Sequence, residues 1–348
     1  MGVPHRAVVL GCGPRGERHA RGLLAHPERF ALTALCDLDG ERARGLASAL
    51  GVARTYTDAR AMLIAERPDV LCAATPPAVR LSVVELGVAY GVRAVALEKP
   101  LALSLAEGRR LVEVCAAAGV KGVVCHQLKH AAHWRRVREI VAGGGLGRVT
   151  WLSASGRPSM LRVGTHLVDA LLWIAGAGRA RWVLGQAHGR NAYAEDHPGP
   201  DHVAGIVALD GGARGLLEIG TLAPHHLGPD DFWKDAAVTA WGEHGYARVV
   251  LGAGWQAVTR DAGGRVESGP ADDTPGEPEH LRLLADWLDD PARVHPSSLD
   301  ASYHGLEILL GLVLSSVERR RVDLPITENP GDVLERFRDL ATAGSPAP

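Results

Sequence analysis

Lysine is the scarcest charged residue in this chain: of 38 basic side chains only Lys99, Lys121, Lys129 and Lys234 are lysine. A chain that otherwise uses arginine keeps lysine where a compact, deprotonatable ammonium is needed, so these four positions are early candidates for chemistry. An excess of either charge is also lacking. A net charge of −2, with no concentrated basic stripe, excludes the electrostatic footprint of a nucleic-acid binder. The ERRR run beginning at Glu318 reads as a solvated helix end. No apolar run reaches the length of a membrane span, and the N-terminus lacks the charged-then-apolar layout of a signal peptide, so a cytoplasmic protein without membrane contact is expected. The five cysteines, Cys12, Cys36, Cys72, Cys115 and Cys125, form no CxxC pair. That excludes a disulfide framework and leaves small, buried, reduced apolar residues. His126, His130 and His133 have helix-compatible spacing and His225 and His226 are adjacent, but no cysteine or carboxylate cluster completes a zinc site, so no metal is expected.

What is present is an ordinary globular composition, 46% hydrophobic and 22% charged over 348 residues, enough for two domains. The stretch AVVLGCGPRG, residues 7 to 16, organises the reading. An apolar run ends in Gly11-x-Gly13-x-x-Gly16 with a helical pattern after it. Glycine suits each place: Gly11 for the tight turn, Gly13 for close approach to a pyrophosphate, Gly16 for packing of helix on strand. A second apolar run, Ala31 to Cys36, ends at Asp37, 21 residues beyond Gly16. A carboxylate there accepts from ribose hydroxyls and repels a 2′-phosphate, so NAD is expected over NADP.

The chain continues as alternating helix and strand. Asp39 caps GERARGLASAL, Asp58 caps AMLIAE, PDVLCAAT is a strand ending at Thr75-Pro76-Pro77, VRAVALEKP is another, Ser104 and Glu107 form a capping box, and KGVVCHQ is a further strand. This predicts an α/β fold whose residues 1–125 form an N-terminal Rossmann domain with a doubly wound parallel sheet. Ligands bind at the carboxyl ends of such strands. The expected dinucleotide contacts are therefore Gly11, Cys12, Gly13, Pro14, Arg15 and Gly16, then Asp37, then Thr75, Pro76 and Pro77, then Glu98, Lys99 and Gln127. Lys99 falls toward the nicotinamide end. From residue 126 to 348 the alternation stops. Two helices, HWRRVREIVAGG and HLVDALLWIAG, are interleaved with and followed by β-like runs, then EHLRLLADWL and SLDASYHGLEILLGLVLSSVE as later helices and VDLPI as a last strand. This predicts a C-terminal α+β domain with a large, mostly antiparallel open sheet. Trp151, Trp173, Trp182 and Trp233 are expected to pack it, with Phe232-Trp233 at a cleft mouth, and the tail ATAGSPAP is expected to fray.

With the glycine loop, the acid, TPP, EKPLA, HQ and GTHLVD in this order, the chain resembles the Gfo/Idh/MocA family from about residue 5 to the VDLP segment. The resemblance implies oligomer contacts through the open sheet, a homo-oligomer, and a catalytic lysine at Lys99. It also implies a D-x-G-x-H-x-x-D motif, matched here by Gly164, His166 and Asp169, while Arg162 stands where relatives carry the first aspartate. On that basis His166 is the expected base for a substrate hydroxyl, with Lys99 hydrogen-bonding the same oxygen. Gln127, Arg162 and Asp169 are further expected substrate contacts. Asp169 either orients the imidazole, contacts hydroxyls or serves as a first-turn acid. Arg162 reads a carboxylate or phosphate, pairs with Asp169, or faces solvent. The implied activity is NAD-dependent oxidation of a sugar, cyclitol or related polyol. The alternatives are redox-assisted glycoside cleavage with tightly held NAD, or a non-catalytic dinucleotide- or sugar-binding regulator.

Overall fold

The computed structural model describes residues 3–176 and 178–343. It begins with β1 (His5–Leu10), α1 (Pro14–Leu24), β2 (Phe30–Cys36), α2 (Gly40–Leu50), β3 (Arg54–Tyr56), α3 (Ala59–Glu66), β4 (Val70–Ala73), α4 (Arg80–Ala89), β5 (Ala94–Leu97), α5 (Leu105–Ala117) and β6 (Lys121–Val124). The six strands pair in parallel in the order β3-β2-β1-β4-β5-β6. This is the expected doubly wound sheet, with the strand order reversing beside β1. The caps are local. Asp39 accepts from the amides of Glu41 and Arg42, and Asp58 accepts from that of Ala61. Ser104 accepts from the Glu107 amide, but the Glu107 carboxylate reaches back to the Leu103 amide rather than that of Ser104.

The chain goes on through α6 (Ala132–Ala142), β7 (Val149–Gly156), α7 (Thr165–Ala175), β8 (Ala180–His188), β9 (His202–Leu209), β10 (Arg214–Gly220), β11 (Ala236–Gly242), β12 (Gly245–Val250), β13 (Gly254–Val258) and β14 (Glu267–Gly269). After α8 (Glu277–Asp289) and α9 (Leu299–Glu318) come β15 (Val322–Asp323) and α10 (Val333–Ala343). The second sheet has nine strands in the order β14-β13-β12-β11-β7-β10-β9-β8-β15, antiparallel except where β10 runs parallel to β7. β14 and α10 were not anticipated. Residues 344–348 of the tail expected to fray lie outside the described residues, and 341–343 end α10.

Two compact units emerge, Met1–Gln127 with Pro275–Tyr303 and Leu128–Thr274 with His304–Pro348. The contiguous expectation of 1–125 and 126–348 is therefore corrected at residues 275–303. The reason is packing: Leu281, Leu284 and Leu288 of α8 share the core with Leu35, Cys72 and Val123 of the first sheet. Gly22 of α1 lies so close that a Cβ there would stand 2.8 Å from Leu281 Cδ1. Burying a leucine side chain contributes about 1.5–3 kcal/mol, which outweighs sequence distance.

In the second unit, α7 packs on β7 and β11, α6 on β12 and β13, all against one face of the sheet. Leu167 and Leu171 of α7 meet that face at Gly156 and Gly215. Residues one position along point the other way. Leu184, Trp151 and Trp241 on that second face are 48%, 36% and 37% exposed, so the face is open. Trp151 and Trp233 (57% exposed) thus depart from the expected packing role, and the buried tryptophan is Trp134 of α6.

Candidate active site

The first unit builds a loop around Gly11-Cys12-Gly13. Gly11 has φ +92°, and a Cβ there would lie 2.4 Å from the Ala74 carbonyl oxygen; one at Gly16 would lie 1.7 Å from that of Gly11. Only glycine fits either place. At Gly13 a Cβ would meet nothing within 4 Å, and Gly13 caps α1 without a side-chain hydrogen bond. The first amides of α1 are thus left to an anion. Asp37 closes the loop: its Oδ2 accepts from the Cys12 amide at 2.7 Å, its Oδ1 from the Asp39 amide at 2.9 Å, and Arg42 lies 3.4 Å away. Burial works against the charge, but these two amides and Arg42 hold the carboxyl below its usual value. The residues fit a dinucleotide with free ribose hydroxyls.

Glu98 follows β5 and is buried. Its carboxylate meets His19 Nε2 at 3.1 Å and Arg15 at 2.9 Å. Arg15 also reaches Glu277 at 3.4 Å. Arg15 and Glu98, both expected to touch the cofactor, spend these bonds on each other and on the core. His19, Glu98 and Cys125 each bring one ligand-type atom within 4.8 Å of the others, but the Arg15 cation already occupies the neighbourhood of that carboxylate. Lys99 comes next, half-buried, joined to Pro100 by a cis peptide bond. Sequence reasoning missed Arg80, fully buried, which donates to the carbonyls of Thr75 (3.0 Å), Leu101 (3.2 Å) and Pro100. It ties the TPP turn to the EKP turn, and burial pushes its guanidinium down to about 10. Gln127 is buried beside Cys125, with its carbonyl oxygen 2.1 Å from where a Cβ at Gly276 would be.

In the second unit a π-helical turn, Met160–Gly164, leads into α7 where a loop was expected. Such turns re-aim side chains locally. Gly164 abuts Ile219, and the buried His166 follows in the first turn of α7. One turn on, Asp169 Oδ1 accepts from Lys129 Nζ at 2.9 Å; the two side chains are 8% and 1% exposed. Burial pushes the ammonium of Lys129 below its usual value, and Asp169 opposes that. Arg162 pairs with Glu195 at 3.0 Å and stacks over Trp233, which removes the reading in which it pairs with Asp169. All five cysteines are free and buried, as expected.

Residues 5–126 match the oxidoreductase family with an NAD-binding Rossmann fold, Gfo/Idh/MocA. The matched stretch lies within the first unit and spans its six-stranded parallel sheet. D-apiose dehydrogenase of Paraburkholderia graminis is 34% identical over 190 residues, 49% of this chain and 50% of its own length. Inositol 2-dehydrogenase 3 of Saccharopolyspora erythraea is 30% identical over 146 residues, 41% of this chain and 42% of its own. The chain spans about half the length of the curated relatives it matches. An oxidoreductase from Agrobacterium radiobacter, solved with NAD+, L-tartaric acid and magnesium, has a TM-score of 0.79 at 17% identity, covering 92% of this chain and 98% of that one. That likeness extends the fold over both units. Among the described residues no helix is long and apolar enough to cross a membrane.

Proposed function

We propose that this protein is an NAD-dependent oxidoreductase moving hydride between nicotinamide and a secondary alcohol or ketone of a sugar, cyclitol or related polyol. The observation that carries the reading is the pairing of the Gly11–Asp37 dinucleotide loop with Lys99 at the carboxyl end of the same sheet. The names of the relatives, for D-apiose and for inositol, support the substrate class. Bound NAD supplies the hydride acceptor. His166 takes the hydroxyl proton, which suits an imidazole because its ordinary pKa lies near neutrality. Lys99 hydrogen-bonds the reacting oxygen and stabilises the charge that grows on it. Asp169, held by Lys129, contacts substrate hydroxyls or steadies the imidazole.

The open sheet face supports a homo-oligomer, since Trp151, Trp241 and Leu184 form an exposed apolar surface there. Five free, buried cysteines fit a reducing compartment, and we place the enzyme in the cytoplasm. The test is a panel of sugars, cyclitols and polyols followed at the NADH absorbance. Lys99→Met and His166→Ala are each expected to lower kcat by roughly 10²–10⁴-fold with NAD binding retained. Undiminished turnover in both variants removes the assignment.

A further inference from the structure

Arg157 follows the last residue of β7, and its backbone amide donates to the Asp235 carbonyl at 3.2 Å. Gly156 before it presses on α7 so closely that a Cβ there would stand 2.9 Å from Leu167 Cδ1. The Arg157 backbone is thus fixed beside the turn of α7 that carries His166. Its guanidinium lies 5.1 Å from the centroid of the Phe232 ring. Nε and Nη1 are shut off from solvent, and no described residue hydrogen-bonds to either. Among the described residues no carboxylate forms an ion pair with it. Arg162, five residues on, by contrast has a carboxylate beside it, Glu195 at 3.0 Å, although its Nε too is buried without a hydrogen bond. Guanidinium N–H groups shielded from water without a partner are costly unless an anion completes them.

We propose that Arg157, rather than Arg162, is the specificity residue of the substrate site, and that the substrate is a sugar carrying a carboxylate. The guanidinium fork matches a planar carboxylate in two parallel hydrogen bonds. Phe232 supports the cation from one side and keeps it aimed. This inference rests on the reading of His166 as part of the substrate site.

The test uses the full-length protein saturated with NAD. Melting temperature and NADH formation are followed with D-glucuronate, D-galacturonate, D-gluconate and L-tartrate, against D-glucose, myo-inositol and D-glucose 6-phosphate. At least one carboxylate is expected to raise the melting temperature of the wild type and of Arg162→Gln. In Arg157→Gln its affinity is expected to fall at least tenfold. Arg157→Lys, which keeps the charge but loses the fork, is expected to fall between them, and it reads the same contact should the glutamine variant fail to fold. A response confined to the neutral compounds or to the phosphate, no response to any carboxylate, or equal affinity in Arg157→Lys and wild type overturns the proposal. NADH formed only from neutral polyols leaves the reaction reading standing and sinks this one. Arg157-dependent carboxylate binding without NADH from any compound does the reverse.

Discussion

In the first unit the chemical crevice is shaped by backbone: a single added carbon at Gly16 would fall 1.7 Å from the Gly11 carbonyl oxygen, and Asp37 spends its oxygens on main-chain amides. In the second unit the corresponding groups are held by other side chains. Asp169 is paired with Lys129 and Arg162, within the π-helical turn, with Glu195. The two clusters therefore fail in different ways. A backbone site tolerates changes of charge nearby but no added volume, whereas a site built from paired charges tolerates volume but not the loss of a partner.

The largest effect expected from this contrast is on Lys129. Lys129→Met leaves the Asp169 carboxylate buried without its cation, and breaking such a pair costs about 3–5 kcal/mol in unfolding free energy. Replacing both partners, as Lys129→Met with Asp169→Leu, is expected to recover most of that loss while leaving turnover abolished. Denaturant unfolding of the three proteins measures it. Gly16→Ala comes second: overpacking of this kind costs about 1–3 kcal/mol, and because the strain falls on the phosphate loop, NAD titration is expected to show weakened affinity as well. Should Gly16→Ala prove more damaging to stability than Lys129→Met, the contrast between the two units is reversed.

The same division explains what was legible in the sequence. Gly11, Gly13, Gly16 and Asp37 were readable because the constraint on each is local, a turn, a close approach and a strand end within one βαβ unit. The nine-stranded sheet was readable from alternation and turn residues, though the three-residue β14 was too short to signal itself. The face of α8 was clear from periodicity, but nothing in a helical repeat says which of two sheets it covers, and α8 joined the first. Arg80 carried no signal at all. Its role depends on the turn five residues before it meeting another 20 and 21 residues after it. Arg162 stood out as a departure from the expected motif, yet its partner Glu195 lies beyond α7 and β8, a distance that spacing rules do not reach. Lys129 did have a signal, the scarcity of lysine, and of the four it is the most fully buried.

Glu98 sharpens the comparison because there the first unit too relies on buried charge. Burial alone would raise its pKa, but His19 and then Arg15 outweigh that and hold the carboxyl at about 2, against 4.5 in the unfolded chain. Burial likewise disfavours the His19 imidazolium, but Cys72 and Glu98 raise it to about 10, against 6.5 unfolded. A depressed carboxyl contributes stability above its unfolded value and loses it as pH falls through the folded one. A raised imidazole contributes below its unfolded value and loses it as pH rises through the folded one. Stability is therefore expected to be flat from about pH 4.5 to 6.5, declining toward 2 on one side and toward 10 on the other. Glu98→Gln removes the acid limb and most of the alkaline one, since the imidazolium loses its counter-charge. Urea midpoints measured across that range in both proteins read the difference; superimposable pH profiles would mean that backbone packing, not this pair, holds the EKP turn in place.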